Sequence, residues 1–370
     1  MKGLLKPRNL IIVAFVVMAG GVLALSYFNT AQTTFRTGET VRCNIGSEKD
    51  GFLSNPEVQR ILLTRYGLEV DFTKMGSIEQ VQLPPAQLAD VDCLWPSNTS
   101  ASEIFALENP TVSVDDEVIF NSPIILYTWA DVLTGLESEG IVEENADGIY
   151  VTDMEVMADL MVQPRPSWEN LNIDIFNDFR IITSDPTRSN SGNMFYALFL
   201  NMLNDGNIAG RNELEIFFPE IQEYYDAQGL LEGSSGDLFD KYVTQGQGAY
   251  PLMANYESLI IELSVANRDR LDLIQDRVRI IYPEPTVYSA HPLIALTDNG
   301  ERLLEALKDE DLQRIAWEQH GFRSALPNIT NDPSVLSVAG IPAQLDSIIN
   351  LPRPQAMLDM VEGLQQGQLQ

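Results

Sequence analysis

Histidine and cysteine are scarce in this chain, with two of each in 370 residues. A structural zinc site gathers about four such ligands, so a His/Cys metal cluster is not expected. No stretch spaces its carboxylates as a calcium-binding helix-loop-helix does. Basic residues are also few. Lys and Arg number 23 against 53 Asp and Glu, for a net charge of -30. Such a field repels phosphate backbones, which argues against nucleic acid and broad anionic membrane surfaces as partners. It leaves an anionic small ligand open, because a closed cleft is governed by a few local donors. Neither a Gly-x-Ser-x-Gly elbow nor a Gly-x-x-x-x-Gly-Lys-Ser/Thr loop occurs. His291 and His320 have no nucleophile nearby in sequence, and Asp115-Asp116 and Glu143-Glu144 read as solvated faces. Catalysis and a cofactor are therefore not expected.

What is present begins with an address. Lys2, Lys6 and Arg8 precede an apolar run over residues 10–28, broken by Gly20, Gly21 and Ser26. A positive flank before an apolar run is an export pattern, with the positive end left in the cytoplasm. Ala24 and Ser26 fit a cleavage site, while the length just reaches the roughly 17–25 residues of a membrane span. A retained anchor is the favoured reading, with a cleaved signal peptide beside it. Both place the rest of the chain in the periplasm or at the cell exterior. A tether of residues 29–37 follows, and no second long apolar run suggests a multi-span transporter. Cys43 and Cys93 are either a disulfide or two buried thiols in such a compartment.

The remaining chain is long enough for two domains with ordinary cores. Short apolar runs alternate with helical patterns, which predicts an α/β fold. Strands are expected at Val41–Ile45, Leu68–Phe72, Asp92–Trp95, Val118–Trp129, Phe179–Thr183, Ala249–Asn255 and Val278–Tyr282. Helices are expected at Asn55–Tyr66, Thr152–Val162, Ser167–Phe176, Asn193–Asn204, Gly236–Gln245, Gly300–Lys308 and Asp311–His320. The Pro-punctuated tail after Asn328 is expected to wrap the first domain.

Four stretches, taken in order, carry a likeness. They are Val41 to Asp50, Phe120 to Tyr127, Thr183 to Phe195, and Arg279 to Pro285 with His291-Pro292-Leu293 after it. The arrangement resembles the bacterial extracellular solute-binding proteins of the two-crossover, type II class. That group is similar to the molybdate- and phosphate-type binding proteins of ABC transporters and also serves organic solutes. The resemblance implies a two-lobed periplasmic-binding-protein-like fold that closes on a ligand by hinge motion, with a membrane permease as partner. Lobe one would comprise residues 38–124 and 283–370, and lobe two residues 125–282. The competing reading is a membrane-anchored sensory or interaction protein that kept the fold without transport.

Ligands of open α/β sheets gather at the carboxyl ends of strands, where helix starts expose N–H groups. Ser189-Asn190-Ser191-Gly192, preceded by Arg188, has hydroxyl donors, room for close backbone approach and a guanidinium fork. A plain helix cap explains one of these residues but not all of them. Ser47 and Lys49 follow the first strand, and Ser97 and Asn98 follow the third. Tyr256 and Glu257 either line the cleft or sit on the surface. Trp95, Trp129 and Trp168 read as core before they read as stacking platforms. The expected ligand, an oxyanion or small organic solute, is bridged by Ser47, Lys49, Ser97 and Asn98 on one side and Arg188, Ser189 and Ser191 on the other, with Tyr256 near.

Overall fold

The computed structural model describes residues 38–369, apart from 111 and 113. The anchor or signal assigned to residues 10–28 and the tether of 29–37 lie outside the described residues. Among the described residues, no helix is long and apolar enough to cross a membrane.

The first lobe is built on β1 (Glu39–Ile45), β2 (Leu68–Lys74) and β3 (Cys93–Trp95), with β1 parallel to both neighbours. Strands covered on both faces need near-continuous apolar sequence. β3 supplies it with Cys93, Leu94 and Trp95, all buried, whereas β1 buries Val41, Cys43 and Ile45 on one face and exposes Arg42 on the other. Cys43 and Cys93 face each other across β1 and β3 and are joined by a disulfide. The helix expected after β1 has Asn55 as its cap, accepting from the Glu57 N–H at 2.9 Å, and Pro56 at its first position.

The long apolar run forms one strand, β4 (Asp115–Trp129), and Asn121-Ser122-Pro123 does not break it. Instead the strand changes partners there. Up to Pro123 it pairs with β9 (Tyr288–Ala295); from Ile124 onward it pairs with β7 (Leu252–Tyr256) and β8 (Val278–Glu284). Two short strands, β5 (Glu143–Glu144) and β6 (Tyr150–Asp153), extend the far edge beyond β8, and β10 (Arg323–Ser324) caps β4 near the change. Thus β4 carries the chain out of one sheet, and β8 followed by β9 carries it back. The cores divide at the same place. Phe52, Trp95, Phe120, Leu303 and Ile315 belong to one cluster, and Tyr127, Phe195, Tyr224, Met253 and Ile281 to another.

Three expectations need correction. The helix over Ser167–Phe176 shrinks to a turn at Trp168–Leu171, because Asn172 adopts a left-handed conformation (φ 56°) that ends it. The strand over Phe179–Thr183 is reduced to one bridge, Ile182 to Met253. Side chains take its backbone groups instead: the Ile181 N–H donates to the Tyr224 hydroxyl at 2.9 Å, and the Thr183 N–H to Gln228 Oε1 at 3.1 Å. The tail also departs from the expected wrap. It starts beside Trp317, whose ring packs in the second core and whose Nε1 donates to the Asp332 carbonyl at 2.9 Å. Its last helix (Pro354–Gln366) buries Ala356, Met357, Met360 and Leu364 in the second core. That helical stripe has the spacing to match a packed face, which the prolines before it concealed. Leu358, on another flank, packs on a small first-lobe cluster around Ile104 and Phe105.

Candidate functional site

A cleft of about 690 Å³ opens between the lobes. Its first-lobe wall holds Gly46 to Glu48 and parts of the segment from Lys74 to Gln87; its second-lobe wall holds Pro186 to Asn190, Asn193 and Gly233 to Ser235. Leu358, Val361, Glu362 and Gln365 of the tail helix form a third side.

The helix Asn190–Leu203 points its N-terminus into this space. Its opening is set by hydroxyls. Ser184 Oγ accepts from the Gly192 N–H at 2.9 Å and meets Ser191 Oγ at 2.7 Å; Ser191 in turn meets Ser235 Oγ at 2.8 Å. A Cβ on Gly192 would fall 2.0 Å from the Ser184 carbonyl oxygen, so only glycine allows this approach. Arg188 is held on a turn whose Asp185 carbonyl accepts from the Arg188 N–H at 3.1 Å, leaving the guanidinium exposed in the cleft. The helix start adds partial positive charge beside it.

The lobes touch below the cleft. Asn190 Nδ2 donates to the Ser97 carbonyl at 2.8 Å and to the Tyr256 hydroxyl at 2.9 Å, and Asn98 Nδ2 donates to Asn190 Oδ1. Gly76 lies against the Arg188 carbonyl; a Cβ there would come within 2.5 Å of that oxygen. Bulk at this glycine would hold the lobes apart.

Of the expected ligand residues, Ser47, Arg188 and Ser189 line the cleft. Lys49, Ser97, Asn98, Ser191 and Tyr256 do not; they are buried behind its wall. Lys49 departs most from expectation. Its Nζ donates to Glu48 Oε1 at 2.6 Å and to Ser97 Oγ at 2.8 Å, so its charge is already balanced inside the protein. Asn98 caps the helix Thr99–Glu108, accepting from the Ala101 N–H at 2.7 Å. Trp95 and Trp168 are core residues, and Glu257 is buried at the crossing. Asn193, Ser235, Glu79 and Glu362 line the cleft without having been singled out from sequence. Ser234-Ser235 carried the same hydroxyl-before-helix signal as Ser189, with Ser234 accepting from the Asp237 N–H. Asn193 carried none, since it sits within a helical pattern.

Behind the wall, His291 Nδ1 lies 3.4 Å from Glu48 Oε1. Burial, reinforced by the Lys49 charge, pushes the His291 pKa from 6.5 down to about 4. Burial alone would raise the Glu48 carboxyl, but Lys49 and His291 outweigh it and hold it below its ordinary 4.5. Both effects have one sign. Between pH 6.5 and about 4 the unfolded chain protonates His291 while the folded protein does not, so stability falls as pH falls. Below 4.5, Glu48 adds a further loss. Calorimetric melting across this range should show that decline, and His291→Gln should flatten its upper part. An unchanged slope in the variant would contradict the assignment.

No family model matches the chain, and no curated protein matches it. Solved structures do. The substrate binding protein of an ABC transporter from Agrobacterium tumefaciens is 14% identical, covering 89% of this chain and 94% of that one at a TM-score of 0.57. A periplasmic thiamin binding protein is 8% identical, covering 89% and 96% at a TM-score of 0.57. Apo ferric ion-binding protein A from Pasteurella haemolytica is 11% identical, covering 88% and 96% at a TM-score of 0.55. At such identities the likeness is one of fold. The chain has the two-lobed α/β fold of periplasmic binding proteins.

Proposed function

We propose that this protein is an extracytoplasmic solute-binding protein that captures a small ligand by lobe closure and delivers it to an ABC-type permease. One observation carries the reading: a helix N-terminus and an exposed arginine on one lobe line the same cleft as Ser47 of the other. The disulfide supports an oxidising compartment. Similarity to a transporter's substrate binding protein and to a periplasmic binding protein supports the same role. Attachment through residues 10–28 belongs to the proposal and rests on sequence. None of the neighbours favours the anchored sensory reading, and their names describe binding proteins, not enzymes.

Arg188 tests the site. Arg188→Ala should weaken binding of an anionic or carboxylated solute by about 1.5–3 kcal/mol, the range for charge-assisted hydrogen bonds. Titration calorimetry measures it. Equal affinity in the variant would remove Arg188 from the site.

A further inference from the structure

Asn193 is a residue of the cleft that the fold leaves unexplained. The residue is 2% exposed and lines the cleft, yet neither Nδ2 nor Oδ1 of its side chain has a hydrogen-bond partner. A buried donor and acceptor left unpaired together are costly and rare in native proteins. A ligand that satisfies both must offer an acceptor beside a donor. A fully ionised oxyanion such as sulfate offers acceptors only, and would leave Oδ1 bare.

The charges around the cleft narrow the class further. Lys74 is paired with Asp50 at 3.0 Å, and Glu48 with Lys49 at 2.6 Å. Among the described residues, Arg188 has no ion pair, and neither do two carboxylates of the cleft, Glu79 and Glu362. The site therefore presents one cation and two anions to its occupant. Its volume of about 690 Å³ lies within the roughly 300–1,000 Å³ typical of organic ligands and far exceeds a lone oxyanion. The strongly negative chain also draws cationic solutes toward it.

The geometry points to a basic amino acid as the solute of this cleft. This inference rests on the capture reading above and specifies its ligand. The α-carboxylate sits at the start of the helix Asn190–Leu203 and takes donors from Arg188 and Asn193 Nδ2. The α-ammonium donates to Asn193 Oδ1, and the distal cation faces Glu79 and Glu362. Glu362 thereby gives the tail helix a part in selecting the ligand.

Titration calorimetry on the purified protein tests this, using L-lysine and L-arginine against L-norleucine, 6-aminohexanoate, cadaverine, hexanoate and sulfate. L-lysine or L-arginine should bind at least about tenfold more tightly than every analogue lacking one charged group. Sulfate, hexanoate or cadaverine binding as tightly would overturn the inference while leaving solute capture standing. So would binding of sulfate with no heat from either amino acid. No heat from any solute would overturn both readings. Asn193→Leu supplies a second readout. It should lower L-lysine affinity by about tenfold or more without lowering the melting temperature of the ligand-free protein, because the amide it removes is unpaired there. A lower melting temperature with unchanged affinity would make Asn193 a structural residue and sink the assignment.

Discussion

Replacing Arg323 by alanine is expected to cost about 3–5 kcal/mol of folding stability, the range for stranding one partner of a buried ion pair. Arg323 lies on β10, paired with β4 beside the point where that strand changes sheets. Its Nε and Nη2 reach Glu257 Oε1 and Oε2 at 2.7 and 2.8 Å, and both residues are buried. Glu257 follows β7, and it also accepts from the Tyr282 hydroxyl of β8 at 2.7 Å. The remaining guanidinium donors go to the tail, at the carbonyls of Ala343 (3.0 Å) and Pro342 (2.7 Å). One side chain thus ties the first lobe, the second lobe and the tail together at the crossing. Without it, the buried Glu257 side chain is left with the Tyr282 hydroxyl and no cation. Urea unfolding measures the loss. The double variant Arg323→Met/Glu257→Gln should lose less than Arg323→Ala, because it leaves no uncompensated charge. A single variant within about 1 kcal/mol of the parent protein would contradict this account of the crossing.

The second large effect is expected at Cys43 and Cys93. The bond closes a loop of sequence separation 50 between directly paired positions of β1 and β3. Constraining such a loop in the unfolded chain is worth about 4 kcal/mol in the chain-entropy description. Cys43→Ala/Cys93→Ala should unfold at clearly lower urea concentration than the parent, after allowing for the small loss of buried sulfur. In denaturant alone the parent should resist alkylation at both cysteines, and reduction should make both reactive. Alkylation without reduction would mean that the thiols are free, and would weaken the extracytoplasmic placement.

The sequence disclosed the fold better than the site, and particular residues explain why. Short apolar clusters in β1, β4 and β8 made those strands legible, and the alternation with helices was legible too. Asn121-Ser122-Pro123 interrupts the apolar run, yet the strand continues through it. Local composition could not reveal that Pro123 sits at the change of partner, with its neighbours still paired on both sides. The hydroxyl-rich helix start at Ser189 was visible because such composition is local; Ser234, the actual cap of the next such helix, carried the same signal and was passed over. The fate of Lys49 was not. Its balance depends on Ser97, 48 positions away, and on a wall that buries the Glu48 pair. Asn193 and Glu362 were equally silent. One lies inside a helical pattern, and the other belongs to a tail whose prolines masked its final amphipathic helix.

Amide hydrogen exchange followed by mass spectrometry, with and without saturating solute, tests the central claim most directly. If a solute bridges the lobes, binding should protect segments 46–49 and 75–80 in the first lobe together with 186–193 and 233–236 in the second. Protection of both sets at one solute concentration is the predicted result. Protection confined to one lobe, or located away from the cleft while binding is saturated, would contradict capture between the lobes.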